Sequence, residues 1–373
     1  IAFEEAADAT LKGKTSPVPA YRALRVVAER GGRNRSGTLE APFVGREEEL
    51  RQLKDQYHAV TREGRPRLVS IMGPAGIGKS RLAWEFSKYT DGLVEDMWWH
   101  SGRSPAYGEG ITFWALGEMI RRRAGLAETD DEEATRVALA AMLAEHVPDE
   151  DEQRWIEPAM LTLLGIGDQQ GGSEEHFAAW RTFFERMAET APVTMVIEDL
   201  HWADAGLLDF IDHVLEWTRD RPIYIVTLAR PELLEKRPTW GAGKRQFTSI
   251  FLEPLAEAAM RNLLTGLVPG LPERALRAIV ERADGVPLYA VETVRMLVAE
   301  GKLTEQDGAY VPAGDLEDLA VPDTLTALIA SRLDALDPAD RTLLQDASVL
   351  GQSFTPEALA AVSQATSENL VQR

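Results

Sequence analysis

The stretch "LVSIMGPAGIGKS", Leu68 to Ser80, decides the fold, because it joins an apolar strand directly to a glycine-rich turn and a helix start. It satisfies G-x-x-x-x-G-K-[ST], in which the glycines let successive backbone N–H groups point inward. The following helix adds about half a positive charge at its N-terminus, so the turn suits a polyphosphate. Lys79 would reach the β- and γ-phosphates, and the Ser80 hydroxyl would bind Mg²⁺. The alternative is an ordinary glycine-rich turn between a strand and a helix.

A second buried strand ends in two adjacent acids. In "MVIEDLHWAD" the apolar run Val193–Ile197 leads directly into Glu198 and Asp199. Each carboxylate needs solvent, a hydrogen bond or a cation at that position. We expect this strand to lie beside the strand of the glycine-rich turn, so that Glu198 binds the metal and Asp199 faces the γ-phosphate and orients an attacking water. The alternative is two solvated acids at the end of a strand.

A third strand carries polar residues at its predicted end. In "YIVTLARPE" Thr227 ends the apolar run and Arg230 follows three residues later. A polar residue at a strand end can sense the γ-phosphate, and an arginine there can pair with it through two hydrogen bonds. The alternative for Arg230 is a solvated side chain.

Short apolar strands alternate with longer helical segments from about residue 42 to 255, which is typical of an α/β domain with a mainly parallel sheet. After Pro254 the pattern predicts helices only, and another helical segment begins near Pro322. The predicted domains are 1–25, a linker over 26–41, and three units over 42–255, 256–320 and 321–373. The predicted strands are Leu68–Met72, Met97–His100, Val193–Ile197, Ile223–Leu228 and Ile250–Leu252.

Composition excludes several classes of site. The 373 residues contain no cysteine and six scattered histidines, so disulfides, thiolate metal sites and histidine metal sites are not expected. A net charge of −20 argues against a nucleic-acid-binding surface on this chain. The absence of a long apolar run and of a signal pattern favours a cytoplasmic protein that is not bound to a membrane. Because the chain begins at Ile1, we interpret it as part of a longer protein.

Five motifs in this order resemble the signal-transduction ATPases with numerous domains, the STAND class of P-loop NTPases. They are "FVGREEEL", "GPAGIGKS" as the Walker A motif, "VIEDLHWAD" as the Walker B motif, "TLAR" with the sensor-1 arginine, and "GVPL" from Gly285 to Leu288. The resemblance covers about residues 42 to 373. It implies an α/β P-loop NTPase fold of the ASCE type with a parallel five-stranded core sheet, then a helical domain and the start of a winged-helix domain. This chain has Glu198 where the family more often has aspartate.

The resemblance also implies a nucleotide site for ATP or ADP with Mg²⁺. It implies that Val44, Gly45 and Arg46 lie near the adenine and ribose, and that Pro287 packs on the base. The predicted catalytic residues are Lys79, Asp199, Arg230 and Thr227, and the predicted metal ligands are Ser80 and Glu198. The predicted nucleotide-binding residues are Val44, Gly45, Arg46, Gly73, Pro74, Ala75, Gly76, Ile77, Gly78, Lys79, Ser80, Arg81 and Pro287.

The N-terminal stretch "LKGKTSPVPAYRAL" resembles the closing strands of a class III nucleotidyl cyclase domain. This resemblance covers only about 25 residues. It implies that the longer protein carries an adenylate or guanylate cyclase domain before the ATPase. The metal-binding aspartates of such a domain are absent, so no cyclase activity is expected of this chain.

Two function hypotheses remain open. In the first, the chain is a slow ATPase that responds to assembly, with homo-oligomer formation on activation and with the upstream cyclase and further downstream domains as partners. In the second, it is a nucleotide-dependent switch that holds ADP or ATP and transmits domain closure, with turnover incidental.

Two further groups of residues lie outside this site. Aromatic residues near position 113 could line a partner surface, but Phe113, Leu116 and Ile120 recur at helical spacing and favour a helical core. His201 and Asp204 lack a serine partner for a hydrolytic triad, so we interpret them, with Trp202, as structural.

Overall fold

The structure is a computed structural model. It describes residues 2–9 and 18–25, and residues 41–363 except 107–111, 128–129, 167–171, 307–308, 315–321, 323, 335 and 351–355. Nearly all of the predicted linker, 26–41, lies outside the described residues, as does the chain after 363.

The strands are β1 Ala2–Ala9, β2 Val18–Arg25, β3 Arg67–Met72, β4 Trp98–Arg103, β5 Val193–Glu198, β6 Ile223–Ala229, β7 Phe247–Phe251, β8 Leu303–Gln306 and β9 Ala309–Pro312. The helices of the N-terminal half are α1 Glu47–Glu63, α2 Lys79–Asp91, α3 Trp114–Arg123, α4 Glu132–His146, α5 Glu150–Leu163 and α6 Ser173–Met187. Those of the C-terminal half are α7 Ala205–Trp217, α8 Glu232–Lys236, α9 Glu257–Leu267, α10 Glu273–Ala283, α11 Pro287–Ala299, α12 Leu325–Asp334, α13 Pro338–Leu350 and α14 Pro356–Val362, and a 3₁₀ turn spans Leu200–Trp202.

The core is a five-stranded sheet in the order β4-β5-β6-β3-β7, in which every neighbouring pair is parallel. The predicted α/β P-loop architecture with five parallel strands is therefore confirmed. Only the strand ends differ: β4 begins one residue later than predicted and continues to Arg103, and β7 begins three residues earlier, at Phe247.

The predicted neighbour of β3 is wrong. The strand that carries Glu198 and Asp199 does not lie beside β3, because β6 lies between the two. All seven residues of β6 are buried, which suits a central position between two strands and under helices on both faces. By contrast, β4 at the edge mixes tryptophan with polar residues and is only partly buried.

Alternating side chains of the strands enter two cores on opposite faces of the sheet. One core receives Tyr224 and Val226 of β6 and packs against α1 and α2. The other receives Ile223 and Ile225 and packs against α3 to α7. The sheet is thus covered by helices on both faces, and the ends of its strands meet at one edge.

The described residues between β4 and β5 form the helices α3 to α6, and the first of these contains the predicted positions Leu116 and Ile120. Leu116 and Ile120 of α3 are buried in the second of these cores, and Phe113 packs at their edge with its ring centroid 4.8 Å from that of Trp180. Trp114 on the opposite side is 48% exposed. The helical-core interpretation is confirmed.

After β7 the chain forms a helical region with its own core. Met260, Leu263, Leu264 and Leu267 of α9 are all buried and pack with α10 and α11, as their spacing predicts. The expectation of helices only is wrong, because β8 and β9 form an antiparallel pair here. Each has four residues, too few for periodicity to reveal, although the dipeptide Asp307-Gly308 between them favours a hairpin turn.

The last described segment contains α12, α13 and α14. Asp337 caps α13, since its Oδ1 accepts a hydrogen bond of 2.9 Å from the backbone N–H of Ala339. Leu328 of α12 is buried, whereas Ile329 is 43% exposed. A winged-helix domain here, like the domain boundaries, stays a prediction.

At the N-terminus β1 and β2 form an antiparallel pair. The cyclase interpretation of residues 1–25 also stays a prediction. Among the described residues, no helix combines the length and the apolar character that crossing a bilayer requires.

Candidate nucleotide-binding site

The glycine-rich turn lies between β3 and α2 and has the backbone shape that the sequence predicts. Gly76 and Gly78 have φ of 76° and 106°, which L side chains rarely adopt. A Cβ at Gly78 would meet no atom within 4 Å, so the turn is open on that side. Helix α2 begins directly after the turn, with a hydrogen bond of 2.9 Å from Leu82 N to Gly78 O. The open side of the turn therefore lies at a helix N-terminus.

Lys79 folds back over the turn. Its Nζ donates to the carbonyl oxygens of Gly73 and Pro74, at 2.8 Å each. Burial lowers the pKa of Lys79, the charge of Arg230 lowers it further, and the charge of Asp199 raises it. The ammonium group therefore lies within electrostatic reach of the residues that follow β5 and β6.

Of the remaining residues of this turn, Pro74 and Ala75 are exposed and Ile77 is buried. The guanidinium of Arg81 pairs with Glu85 one helical turn later, at 2.7 Å. Arg81 is therefore directed along α2 in this structure.

Ser80 and Glu198 are brought together, although their strands are not neighbours. The Ser80 hydroxyl donates to Glu198 Oε2 at 3.1 Å. No group of three or more His, Cys, Asp or Glu side chains in the described part of the chain could hold a metal ion. One hydroxyl and one carboxylate, completed by phosphate oxygens and water, is the ligand set that Mg²⁺ prefers at nucleotide sites. These residues fit Mg²⁺ bound together with a polyphosphate.

Arg103, which the sequence did not single out, holds both acids. It ends β4 opposite Glu198 in the parallel register, and its guanidinium lies 2.8 Å from Glu198 Oε2 and 3.5 Å from Asp199 Oδ2. Its backbone N–H donates to Glu118 Oε2 of α3 at 2.9 Å. Burial lowers the pKa of Arg103, but the charges of Glu198 and Asp199 outweigh burial and raise it. No motif marks Arg103, because only the strand order brings it to the acids.

The predicted position of Thr227 at a strand end is wrong. β6 continues for two more buried apolar residues to Ala229, and Thr227 lies opposite Ser70, fully buried. Its Oγ1 has no hydrogen-bond partner among the described residues. Arg230 is the first residue after β6 and therefore the polar residue at the strand end.

The residues after the two acids form a turn that contacts the segment after β6. Asp199 has φ of 54° and starts the 3₁₀ turn Leu200–Trp202. The His201 ring accepts a hydrogen bond from the backbone N–H of Arg230, at 3.4 Å. The Lys236 ammonium lies 5.5 Å from the centre of a Trp202 ring.

Asp204 joins this turn to two helices. Its Oδ1 accepts from the backbone N–H of Leu207 at 3.0 Å and caps α7. Its Oδ2 accepts from the backbone N–H of Phe113 at 3.0 Å, where φ is 60° at the start of α3. Asp204 therefore has a structural role, because its one carboxylate connects α3 to α7.

The predicted adenine-side residues lie between the sheet and the helical region. Val44 packs against the core of the helical region. Gly45 has φ of 67°, and a Cβ there would lie 2.8 Å from Ala259 Cβ. The Arg46 guanidinium is buried and donates to the backbone oxygen of Glu253.

The stretch "GVPL" contacts the glycine-rich turn itself. Gly285 has φ of 72°, its oxygen accepts from Leu255 N at 2.8 Å, and a Cβ there would lie 2.8 Å from Leu255 O. Pro287 is the first residue of α11. The next residue, Leu288, donates its backbone N–H to Gly76 O at 3.2 Å. The N-terminus of α11 thus touches the turn that would hold the phosphates.

Comparison with known proteins gives distant structural relatives. A signal transduction ATPase with numerous domains (STAND) protein from Pyrococcus horikoshii, which has a tetratricopeptide repeat sensor, is 15% identical over 87% of this chain and 38% of that chain, with a TM-score of 0.45. Cdc6p from Pyrobaculum aerophilum is 12% identical over 71% of this chain and 65% of that chain, with a TM-score of 0.43. The Orc1 protein of Aeropyrum pernix, solved in complex with DNA, is 13% identical over 91% of this chain and 84% of that chain, with a TM-score of 0.43.

Among curated proteins, an uncharacterized protein of Rhizobium meliloti is 26% identical over 381 aligned residues, which cover 94% of this chain and 34% of that protein. The chain therefore spans about a third of the length of this relative. The sequence model of the AAA ATPase domain matches residues 42–228, just over half of the chain. The chain belongs to the AAA ATPase domain family.

Proposed function

We propose that this chain is a regulatory module that binds Mg-ATP, hydrolyses it slowly, and couples the nucleotide state to the position of its helical region. The observation that carries the proposal is the 3.1 Å contact between the Ser80 hydroxyl and Glu198, beside a glycine-rich turn to which the Lys79 ammonium donates. The metal ion would neutralise phosphate charge, with Ser80 and Glu198 as its protein ligands.

The chain's own residues would act as follows. Lys79 releases the oxygens of Gly73 and Pro74 and donates instead to the β- and γ-phosphates, as the backbone N–H groups of the turn bind the same phosphates. Asp199 accepts a hydrogen bond from a water and orients it toward the γ-phosphorus. A bond forms from that water to phosphorus, the bond from phosphorus to the β–γ bridging oxygen breaks with ADP as the leaving group, and the water gives up a proton to Asp199.

Slow turnover is the expected regime. An arginine supplied by a partner accelerates phosphoryl transfer by about 10³ to 10⁵ in other NTPases. In this chain Arg230 is the candidate to pair with the γ-phosphate. Arg103 holds Glu198 and Asp199 and must release at least one of them. We therefore propose that basal ATP hydrolysis is slow and that its rate rises when the chain assembles into a homo-oligomer.

The adenine and partner assignments rest on resemblance. Val44, Gly45 and Arg46 would contact the adenine and ribose, and Pro287 would pack on the base, which the contact of α11 with the glycine-rich turn supports. Residues 1–25 would end a cyclase domain of a longer cytoplasmic signalling protein, with output domains after the winged-helix region. The length of the Rhizobium meliloti relative, of which this chain spans 34%, is consistent with a longer protein.

The second candidate is a switch without significant hydrolysis, which Arg103 favours because it occupies both acids. One experiment separates the two. Purified protein is denatured to identify any released nucleotide by chromatography, and phosphate release from Mg-ATP is followed in wild type, Lys79→Ala and Asp199→Asn.

Turnover that both substitutions abolish supports the ATPase. Retained ADP with negligible turnover in every variant supports the switch. A wild-type protein that binds neither ATP nor ADP would contradict both.

A further inference from the structure

His201 lies in the 3₁₀ turn that follows Glu198 and Asp199, and it forms two hydrogen bonds to the segment after β6. His201 is 3% exposed. Its ring Nδ1 accepts the backbone N–H of Arg230 at 3.4 Å, and its backbone oxygen accepts from Lys236 Nζ at 2.8 Å. The turn that follows β5 is thereby fixed to both ends of the short segment from the end of β6 to the end of α8.

The hydrogen bond from the Arg230 backbone N–H defines the tautomer of the His201 imidazole. An Nδ1 that accepts a hydrogen bond carries no proton, so the ring proton lies on Nε2. Burial lowers the pKa of His201 and favours this neutral form, against a smaller opposing effect of Asp199. Nε2 is buried and has no hydrogen-bond partner among the described residues.

A neutral, buried ring is poorly suited to proton transfer with a bound substrate. Its accepting nitrogen is already bonded to the backbone of Arg230. This backbone amide belongs to the first residue after β6, so its position sets where the Arg230 side chain begins. The Arg230 guanidinium lies close enough to Lys79 to lower the pKa of the Lys79 ammonium group.

We propose that His201 is a positioning residue, which fixes the backbone of Arg230 relative to Asp199 and so aims the Arg230 guanidinium at the γ-phosphate. The inference rests on the role given to Arg230 under the proposed function. It deepens that role by assigning the part of the chain that holds the arginine in place.

The test compares binding of ADP and of a non-hydrolysable ATP analogue by calorimetry, because discrimination of the γ-phosphate does not need turnover. His201→Ala is expected to weaken the analogue about tenfold relative to ADP, a loss of about 1.4 kcal/mol. His201→Asn keeps an acceptor near the place of Nδ1 and is expected to retain most of the discrimination. His201→Gln has its polar atoms near the place of Nε2 and is expected to behave as His201→Ala.

The same measurements in an Arg230→Ala background isolate the route of the effect. If His201 acts through Arg230, His201→Ala changes nothing further there, which is the non-additivity expected of coupled residues. Full additivity, rescue by Gln rather than Asn, or an equal loss of ADP and analogue affinity would each overturn the inference.

Failure of the proposed function has a different signature. A wild type that binds no nucleotide, or an Arg230→Ala variant with unchanged discrimination, removes the role of Arg230 itself. An intact effect of Arg230→Ala together with a silent His201→Ala removes only the positioning role.

Discussion

At the residue scale, Arg103 leads to the most specific prediction. Its guanidinium pairs with Glu198 and Asp199, the acids that a metal ion would need. The pair with Glu198 is partly solvated, with 35% and 27% of the two side chains exposed, so it is worth only about 1 kcal/mol. We predict that Arg103→Gln tightens Mn²⁺ binding to the ADP complex about fivefold, since about 1 kcal/mol of competition is removed. The measurement is a Mn²⁺ titration followed by electron paramagnetic resonance.

Arg136→Gln is the matched control, because Arg136 forms an exposed pair with Glu132 on α4, 2.7 Å long, and does not contact the acids. Its Mn²⁺ affinity should equal that of wild type. Weaker Mn²⁺ binding in Arg103→Gln would mean that Arg103 supports the metal site instead of competing with it.

The sequence identifies residues of the candidate site well when they belong to a local sequence pattern. Lys79 and Ser80 lie in one continuous motif, and the pair Glu198 and Asp199 ends an obvious apolar run. Arg103 could not be found this way, since its partners depend on which strand lies next to β5. The strand position of Thr227 was wrong because apolar residues extend β6 past it, and no local signal separates a buried threonine from one at a strand end.

At the element scale, Asp204 connects α7 with α3 through its two carboxylate oxygens. Loss of a helix cap costs about 1 kcal/mol, and an unpaired, partly buried N–H adds about 1 to 2 kcal/mol. We therefore predict that Asp204→Ala lowers the free energy of unfolding by about 2 to 3 kcal/mol. Urea denaturation at equilibrium measures the change.

Asp131→Ala provides the comparison, because Asp131 caps α4 with one hydrogen bond of 2.8 Å from the N–H of Ala134 and, among the residues that the structure describes, bonds to no second helix. It should cost about 1 kcal/mol. Equal losses in the two variants would show that the bond to Phe113 contributes nothing.

The elements themselves follow from periodicity more readily than their arrangement does. Five apolar runs predict five strands, and the 3.6-residue spacing of α9 predicts its buried face. Strand order depends on long-range packing, so the place of β6 between β3 and β5 was missed. The short pair β8 and β9 was missed because a four-residue strand has too little pattern to detect.

At the scale of the whole molecule, the helical region contacts the glycine-rich turn through the segment from Gly285 to Leu288. A hydrogen bond runs from Leu288 N to Gly76 O, and a Cβ on Gly76 would lie 2.9 Å from Leu288 Cβ. Any change in the turn on nucleotide binding must therefore be accommodated by α11. This contact is the physical basis on which we propose that the nucleotide is coupled to the helical region.

Gly285→Ala tests this coupling. A Cβ at Gly285 would lie 2.5 Å from Pro254 Cβ, so the start of α11 must move away from Pro254. We predict that ADP binds at least about tenfold more weakly, because about 1.4 kcal/mol or more of the contact between α11 and the turn is lost. Calorimetric titration with Mg-ADP gives the affinity.

Gly270→Ala separates this contact from backbone strain. Gly270 has φ of 80°, close to the 72° of Gly285, but a Cβ there would meet no atom within 4 Å. Both variants incur the cost of a left-handed alanine, about 1 to 2 kcal/mol of stability, whereas only Gly285→Ala displaces α11. ADP affinity in Gly270→Ala should stay within about twofold of wild type. If both variants bind ADP as tightly as wild type, the helical region does not contribute to the nucleotide site, and the bond from Leu288 to Gly76 is a packing contact only.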